Sequence, residues 1–463
     1  MNNSVTYVDT NITILFSNGE SLKLPFKNDN SQNTDLKNFG TSCNLKEKLY
    51  NPSSSNIIGD VCSNTLTLDI TSYDGLLISS NEESEYFGYM DSSARISISV
   101  IGDDNIETNL GIYYVDAWEN GASAGEYTNV TITASDIMQR VKNISLGKIN
   151  LKEHLKFSEY IIGIVDSLNK LLPDDMNIQY TQSEIEKLDT IYGDDWQMWF
   201  NNIDRTDIET VFNTIAQNTL SYIWIDRNGY LKVDCLLDDK EEQAVCELSG
   251  STNLLSYSVH NTDIYNYDGV KTKYISSISY SDEELLNMSD YELVSGSQTI
   301  TAKLNSNKVK DIHHIEIVTD TGIAICKSFY YYRDYIEMNI DSSANTVADI
   351  IVFGKVIKES YDEKTVFKGS KQSTVLEIEN YILRGASKIS KYTNCFAELL
   401  QLKNAIIQVE GFINPQVKLD DMIKVIGKKL KISSNYKVIE LDFTFGVNYD
   451  CKAKLIRTVN VSV

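Results

Sequence analysis

Apolar and polar residues alternate at period two along much of this chain. "TLTLDI" (Thr65 to Ile70), "ARISISV" (Ala94 to Val100), "LGIYYVDAW" (Leu110 to Trp118) and "TNVTITASD" (Thr128 to Asp136) each place successive side chains on opposite faces. Such strands lay one face on a core and leave the other to water or a partner. The stretches between them, "SNEESE", "IGDDN" and "ENGASAGE", carry turn residues. "LKEKLYNP" (Leu45 to Pro52) reads as a short helix stopped by Pro52. A small antiparallel barrel or sandwich is predicted over residues 1–140.

The period then lengthens. "SDIMQRVKNI" reads as a helix capped by Ser135. In "SEYIIGIVDSLNKLLPDD", Ile161, Ile162, Val165, Leu168, Leu171 and Leu172 fall near helical spacing before Pro173. In "RTDIETVFNTIAQNTL", Ile208, Val211, Phe212, Ile215 and Ala216 form one apolar stripe, with Thr206 and Glu209 as a capping box. Two strands follow, near 221–226 and 230–236, joined by "DRNG". Asn228-Gly229 there predicts a two-residue type I′ turn. The same acids raise the question of a metal loop. An EF-hand loop needs a closing Glu at its twelfth position, and the twelfth residue from Asp226 is Leu237, so the hairpin is preferred.

Residues 141–250 therefore read as an α+β domain and residues 251–370 as a β-rich middle domain. Within the latter, "DEELLNM" (Asp282 to Met288) reads as a short helix, while "IHHIEIV", "AICKSFYYY" and "TVADIIVFGKVI" read as strands. Residues 371–463 read as a helix, with Ile389, Tyr392, Phe396, Leu399 and Leu400 on one face, followed by antiparallel strands. The fold class is thus α+β and β-rich, with an antiparallel β-barrel or sandwich near the start, antiparallel strands again near the end, and α+β segments between them; the resemblance given below implies that the two are tube-like antiparallel β-barrel or sandwich domains.

Composition narrows the function. The 463 residues carry a formal net charge of -23 with no offsetting run of Lys and Arg, which argues against sequence-specific nucleic-acid binding. No apolar stretch of about 18 residues predicts a membrane span. The N-terminus lacks the basic and apolar regions of a secretory signal, so folding in the cytoplasm is expected. Seven cysteines, at 43, 62, 235, 246, 326, 395 and 451, include no Cys-x-x-Cys pair and read as buried thiols.

Candidate chemistry is sparse. His313-His314 is the one histidine pair, and neighbours on a strand point to opposite faces, so a shared metal is not expected. Paired carboxylates at Asp103-Asp104, Asp174-Asp175, Asp194-Asp195, Asp238-Asp239 and Asp420-Asp421 are of the type that cleaves sugars, but read as turn and surface residues. Trp196 and Trp199 suit sugar stacking or, preferably, core packing or a subunit contact. No catalytic, cofactor-binding or metal residue is assigned and no cofactor is expected. An assembly component is the preferred reading.

Three stretches resemble the tail hub family of phages and phage-like particles. In "SARISISV...LGIYYVDAWENGASAGEYTNVTITASDIMQRV", the matching residues are Gly111, Tyr113, Tyr114, Val115, Ala134, Asp136 and Met138. In "TDIETVFNTIAQNTLSYIWIDRNGYLKV" they are Val211, Phe212, Ile215, Ala216, Asp226, Gly229, Leu231 and Val233. The third, "LEIENYIL...GFINPQVKLDDMIKVI", departs from the family pattern twice. Tyr381 stands where proline is usual, and Leu419-Asp420-Asp421 where Gly-Asp is usual. The resemblance implies a structural, non-enzymatic homotrimer at the baseplate or tail tip. Its partners would be the tail tube, a spike or tip protein, and wedge or tape-measure proteins. Three copies, each with two tube-like domains, would match a six-fold tube. Acid is expected either on the lumen wall, where it would repel DNA, or on the outer face. The alternatives are a peripheral adaptor or receptor-binding base of the same particle, a cell-wall hydrolase, and a solitary binding protein.

Overall fold

A computed structural model describes residues 8–26, 37–49, 58–102, 105–122, 127–144, 156–192, 207–236, 243–250, 253–260, 267–306, 308–332, 334–368, 372–383, 385–401, 406–429, 432–446 and 449–457. It begins with strands β1 (Val8–Leu15), β2 (Ser21–Leu24), β3 (Asn38–Lys48), β4 (Thr65–Ser72), β5 (Arg95–Gly102), β6 (Glu107–Ala122) and β7 (Thr128–Ser135). The alternation survives as burial: Leu66, Leu68 and Ile70 of β4 and Ile96, Ile98 and Val100 of β5 all face the core. Helices α1 (Ile137–Val141) and α2 (Phe157–Asn169), the short strand β8 (Gln179–Tyr180), and helices α3 (Gln182–Tyr192) and α4 (Ile208–Thr219) come next. Strands β9 (Ser221–Ile225), β10 (Tyr230–Cys235), β11 (Cys246–Ser249) and β12 (Leu254–His260) lead into the middle region. That region holds β13 (Gly269–Leu293), β14 (Gly296–Lys303), β15 (Val309–Thr319), β16 (Ala324–Tyr332), β17 (Tyr335–Ser342) and β18 (Thr346–Phe367). The remaining elements are β19 (Val375–Asn380), α5 (Ala386–Gln401), β20 (Ile406–Gly411), β21 (Met422–Gly427), β22 (Ile432–Phe445) and β23 (Asp450–Arg457).

One curled sheet of 13 strands carries the N-terminal and the C-terminal strands together. Its path is β12-β20-β23-β22-β3-β4-β7-β6-β5-β1-β2, with β21 also on β22 and β11 on β21. The join is made by β22. Its first half, Ile432 to Lys437, pairs with β21, and its second half, Glu440 to Phe445, pairs with β3. Between the halves, Leu49 N donates to the Ile439 carbonyl at 2.8 Å. Opposite charges line the seam, with Lys46 Nζ 3.0 Å from Glu440 and 3.8 Å from Asp442. The β-rich α+β class read from the sequence is the class of this structure.

Four local expectations need correction. Leu45 to Lys48 is the end of strand β3, not a helix. Leu45, Glu47 and Leu49 all point inward, and the buried Glu47 masks the period of two. Asp282 to Met288 lies inside the 25-residue strand β13. A bulge between Glu284 and Leu286 turns neighbouring leucines inward, which imitates a helical stripe. Helix α1 is capped by Asp136 rather than Ser135, the Asp136 carboxylate accepting from Met138 N at 3.1 Å. Helix α4 buries the expected stripe, but its cap is Asp207, which accepts from Thr210 N at 2.7 Å. Thr206 lies outside the described residues.

A second core stands apart from the main one. Strands β13 and β18 pair along almost their whole length, from Gly269 opposite Phe367 to Leu293 opposite Thr346. Their far halves join β14 to β17 around Leu285, Ile336, Met338, Ile340, Ile350 and Val352. Near the main core, β13 instead carries β19 in parallel.

Candidate functional site

The hairpin between β9 and β10 is the place where the chain's parts meet. Asp226 Oδ1 accepts from Asn228 N and from Tyr230 N, each at 2.9 Å, and Gly229 N donates to the Asp226 carbonyl at 2.9 Å. Gly229 has φ +80, whereas Asn228 is not in the left-handed region. The loop is therefore three residues, Arg227-Asn228-Gly229, a type I turn closed by a left-handed glycine. The expected two-residue type I′ turn is corrected on this point. The Asp226 carboxylate, which spans the loop from Asn228 N to Tyr230 N, favours this wider form.

Arg227 is buried and bound on all sides. Its Nε and Nη2 donate to the two oxygens of Glu47, both at 2.7 Å. Nη1 donates to the Pro415 carbonyl at 2.6 Å, and Nη2 also donates to the Val417 carbonyl at 2.9 Å. The guanidinium lies 5.6 Å from the centre of the Phe443 ring. Burial pulls the Arg227 pKa down, but the Glu47 carboxylate outweighs it and leaves the pKa above its ordinary value. One side chain of the α+β unit thus reaches strand β3, the loop before β21, and β22. The β3–β22 seam is closed from beneath by this contact.

A second ion cluster lies beside it. Lys437 of β22, also buried, reaches Asp234 of β10 at 2.6 Å and Asp420 at 2.5 Å. Asp420 has φ +73, a conformation that favours glycine. This is the position where the hub family's pattern carries glycine. Aspartate tolerates the left-handed region better than most residues, and here its carboxylate gains Lys437. The two clusters line a cleft of about 610 Å³, with Lys187, Lys232 and Trp224 on its wall.

The other family departure has a matching account. Tyr381 N donates to Asn218 Oδ1 of α4 at 2.7 Å, a bond that proline has no N–H to make. The preceding Asn380 is fully buried: its amide donates to the Asn218 carbonyl at 2.7 Å and its oxygen accepts from Ile382 N and Leu383 N. Gly111 has φ +122, and a side chain there would meet the Tyr113 ring at 3.2 Å. Tyr113 in turn donates to the Leu110 carbonyl at 2.9 Å. Asp136 accepts from Asn64 N at 2.9 Å, which ties the start of β4 to α1. Burial raises its pKa to about 7, against the opposing pull of those N–H donors. The matched residues are thus turn, cap and core positions.

The remaining candidates are dispersed. His313 lies 3.9 Å from Asp311, while His314 stacks on Phe353 with ring centres 5.9 Å apart. Asp174 and Asp175 sit on a single turn of 3-10 helix, and Asp175 bridges Arg95 at 2.9 Å. Asp420 belongs to the Lys437 cluster above, and Asp421 accepts from Lys418 N at 2.8 Å. Asp103-Asp104, Asp194-Asp195, Asp238-Asp239, Trp196 and Trp199 lie outside the described residues. All seven cysteines are free thiols. Among the described residues there is no group of three or more His, Cys, Asp or Glu that could hold a metal, and no helix long and apolar enough to cross a membrane. Sequence reading missed Arg227 and Glu47. The available signal was a large cation placed inside a tight turn, where Asp-x-Asn-Gly drew attention to its neighbours instead.

The chain has the fold of phage tail proteins. It is similar over 97% of its length to 98% of the 43 kDa tail protein of prophage MuSo2 from Shewanella oneidensis, with a TM-score of 0.50 at 10% identity. A tail protein from Neisseria meningitidis MC58 aligns over 97% of both chains with a TM-score of 0.49 at 8% identity. Prophage tail protein gp18 from Listeria monocytogenes EGD-e aligns over 98% of this chain and 95% of its own, with a TM-score of 0.43 at 10% identity. No protein-family model matches the chain, and no curated protein does.

Proposed function

We propose that this chain is the structural hub of a phage tail or a phage-tail-like particle, a homotrimer joining a six-fold tube to a central spike or tip. The observation that carries this is the end-to-end fold similarity to the MuSo2 tail protein, at nearly full coverage of both chains. The single sheet supports it. Strands from both ends of the sequence lie edge to edge through β3 and β22, so one copy offers two β blocks in one curved surface. Three copies then present six blocks, which fits a six-fold ring on one side and a three-fold spike on the other. The Arg227 contact fits the same role, because it locks the two blocks at a fixed angle. The partners proposed are the tube protein, the spike or tip protein, and wedge or tape-measure proteins. The role is mechanical, and no reaction is assigned to it. The test is the copy number and radial position of the chain in a map of the particle. Three copies on the axis support the hub, while six copies or a peripheral site would move the chain to an adaptor.

A further inference from the structure

We propose that the cleft beside the Arg227 hairpin receives an extended, carboxylate-bearing peptide segment of a partner protein, laid along the outer edge of β10. At about 610 Å³ the cleft has the size of a ligand site. Strands β9 and β10 bond through alternate residues, and the bonds from Asp226 N to the Tyr230 carbonyl and from Leu236 N to the Leu220 carbonyl set the phase. Lys232 and Asp234 therefore bond to β9, while Leu231 and Val233 turn their main-chain groups outward. Strand β8 meets that outer edge only as far as Leu231, opposite Tyr180, before the chain turns into α3. The Val233 N–H and carbonyl, on the cleft wall, are left without a partner among the described residues.

The side chains of the cleft sort into committed acids and spare donors. Glu47 holds Arg227, Glu184 holds Lys232 at 2.6 Å, and Asp234 and Asp420 hold Lys437. Asp226 and Asp421 accept from main-chain N–H groups. Asn64 is only 6% exposed, and its Oδ1 accepts from Lys48 N at 3.0 Å. Its Nδ2 has no acceptor among the described residues and opens on the cleft. Lys187 and Lys418, both exposed on the wall, form no ion pair among the described residues.

These uncommitted groups select the occupant. An N–H and a carbonyl on one outward strand residue match the main chain of another polypeptide, as in strand addition. A small anion would use the N–H and leave the carbonyl unmet. A buried amide donor and two unpaired ammonium groups call for acceptors that carry negative charge. Carboxylate side chains on an extended segment supply both. The site serves a hub or an adaptor alike, so it stands apart from the number of copies in the particle.

The test uses the purified full chain and a pool of labelled, capped pentapeptides X-Glu-X-Glu-X, with X valine, leucine or phenylalanine, read by fluorescence anisotropy. Binding should saturate and should weaken as salt is raised. The double variant Lys187→Gln/Lys418→Gln breaks no ion pair of the fold and should bind roughly fivefold more weakly. A pool with lysine in place of glutamate should not compete. In amide exchange, the Val233 amide of wild type should slow when the glutamate pool is added. Circular dichroism checks that the variant is folded, and should it misfold, the salt dependence and the Val233 protection in wild type decide. No saturable binding, binding unaltered in a folded double variant, or no protection at Val233 overturns the proposal. So does competition by free glutarate equal to that of the pool, which would make the cleft a small-anion site. Each of these results leaves the axial position in a particle map to be judged by itself.

Discussion

Glu47 and Arg227 show how a residue can organise a fold and stay invisible in the sequence. A glutamate at an inward strand position and an arginine within a turn each read as surface residues, and only folding brings them to 2.7 Å. Removing one partner leaves the other charge buried and unpaired. Arg227→Met should therefore destabilise the protein by about 3–5 kcal/mol. The double change Glu47→Leu/Arg227→Met should cost less than the sum of the single changes, since neither charge is then stranded. Urea midpoints measure both, and an unshifted midpoint for Arg227→Met would contradict the role given to it. Asp420 makes a finer prediction. Asp420→Ala loses the Lys437 contact and keeps the strain at φ +73, while Asp420→Gly loses the contact but relieves the strain, so alanine should be the worse by about 1 kcal/mol. Asp136 gives a pH dependence. Its folded pKa is raised from 3.8 to about 7, so its stabilising contribution is full below 3.8 and is lost as pH rises toward 7. Asp136→Asn should remove that slope. The urea midpoint of wild type should fall relative to the variant between pH 4 and 7, and parallel profiles would contradict the assignment.

At the scale of elements, regular strands and amphipathic helices were legible because burial on one face imposes a period. The α4 stripe and the alternation in β4 and β5 are examples. Legibility failed where a tertiary partner broke the period. Glu47 occupies an inward site because Arg227 is there, so β3 lost its alternation. The bulge in β13 put Leu285 and Leu286 side by side inside. The hairpin itself was legible, and its turn type was not, since the Asp226 carboxylate accepts from both Asn228 N and Tyr230 N and so holds a three-residue loop. Gly229 tests that turn. Nothing lies within 4 Å of a side chain added there, so the cost of Gly229→Ala is conformational alone, about 1 kcal/mol. Gly229→Asn should cost less, because asparagine tolerates the left-handed region. Thermal midpoints should rank glycine, asparagine, alanine in falling order, and any other order would contradict the loop geometry.

For the whole molecule, the sequence conveyed β-rich blocks at both ends but not their union. Adjacency of β3 and β22 depends on residues about 400 apart, such as Asn44 and Thr444, which share a 3.0 Å hydrogen bond. No local pattern encodes such a pairing. The union is what lets one copy present a curved double unit, and the hub proposal depends on it. A particle map by electron cryomicroscopy tests that proposal most directly. Three copies around the axis, each laying its sheet against two subunits of the tube ring, are the predicted result. Six copies, or a position off the axis without tube contact, would contradict it.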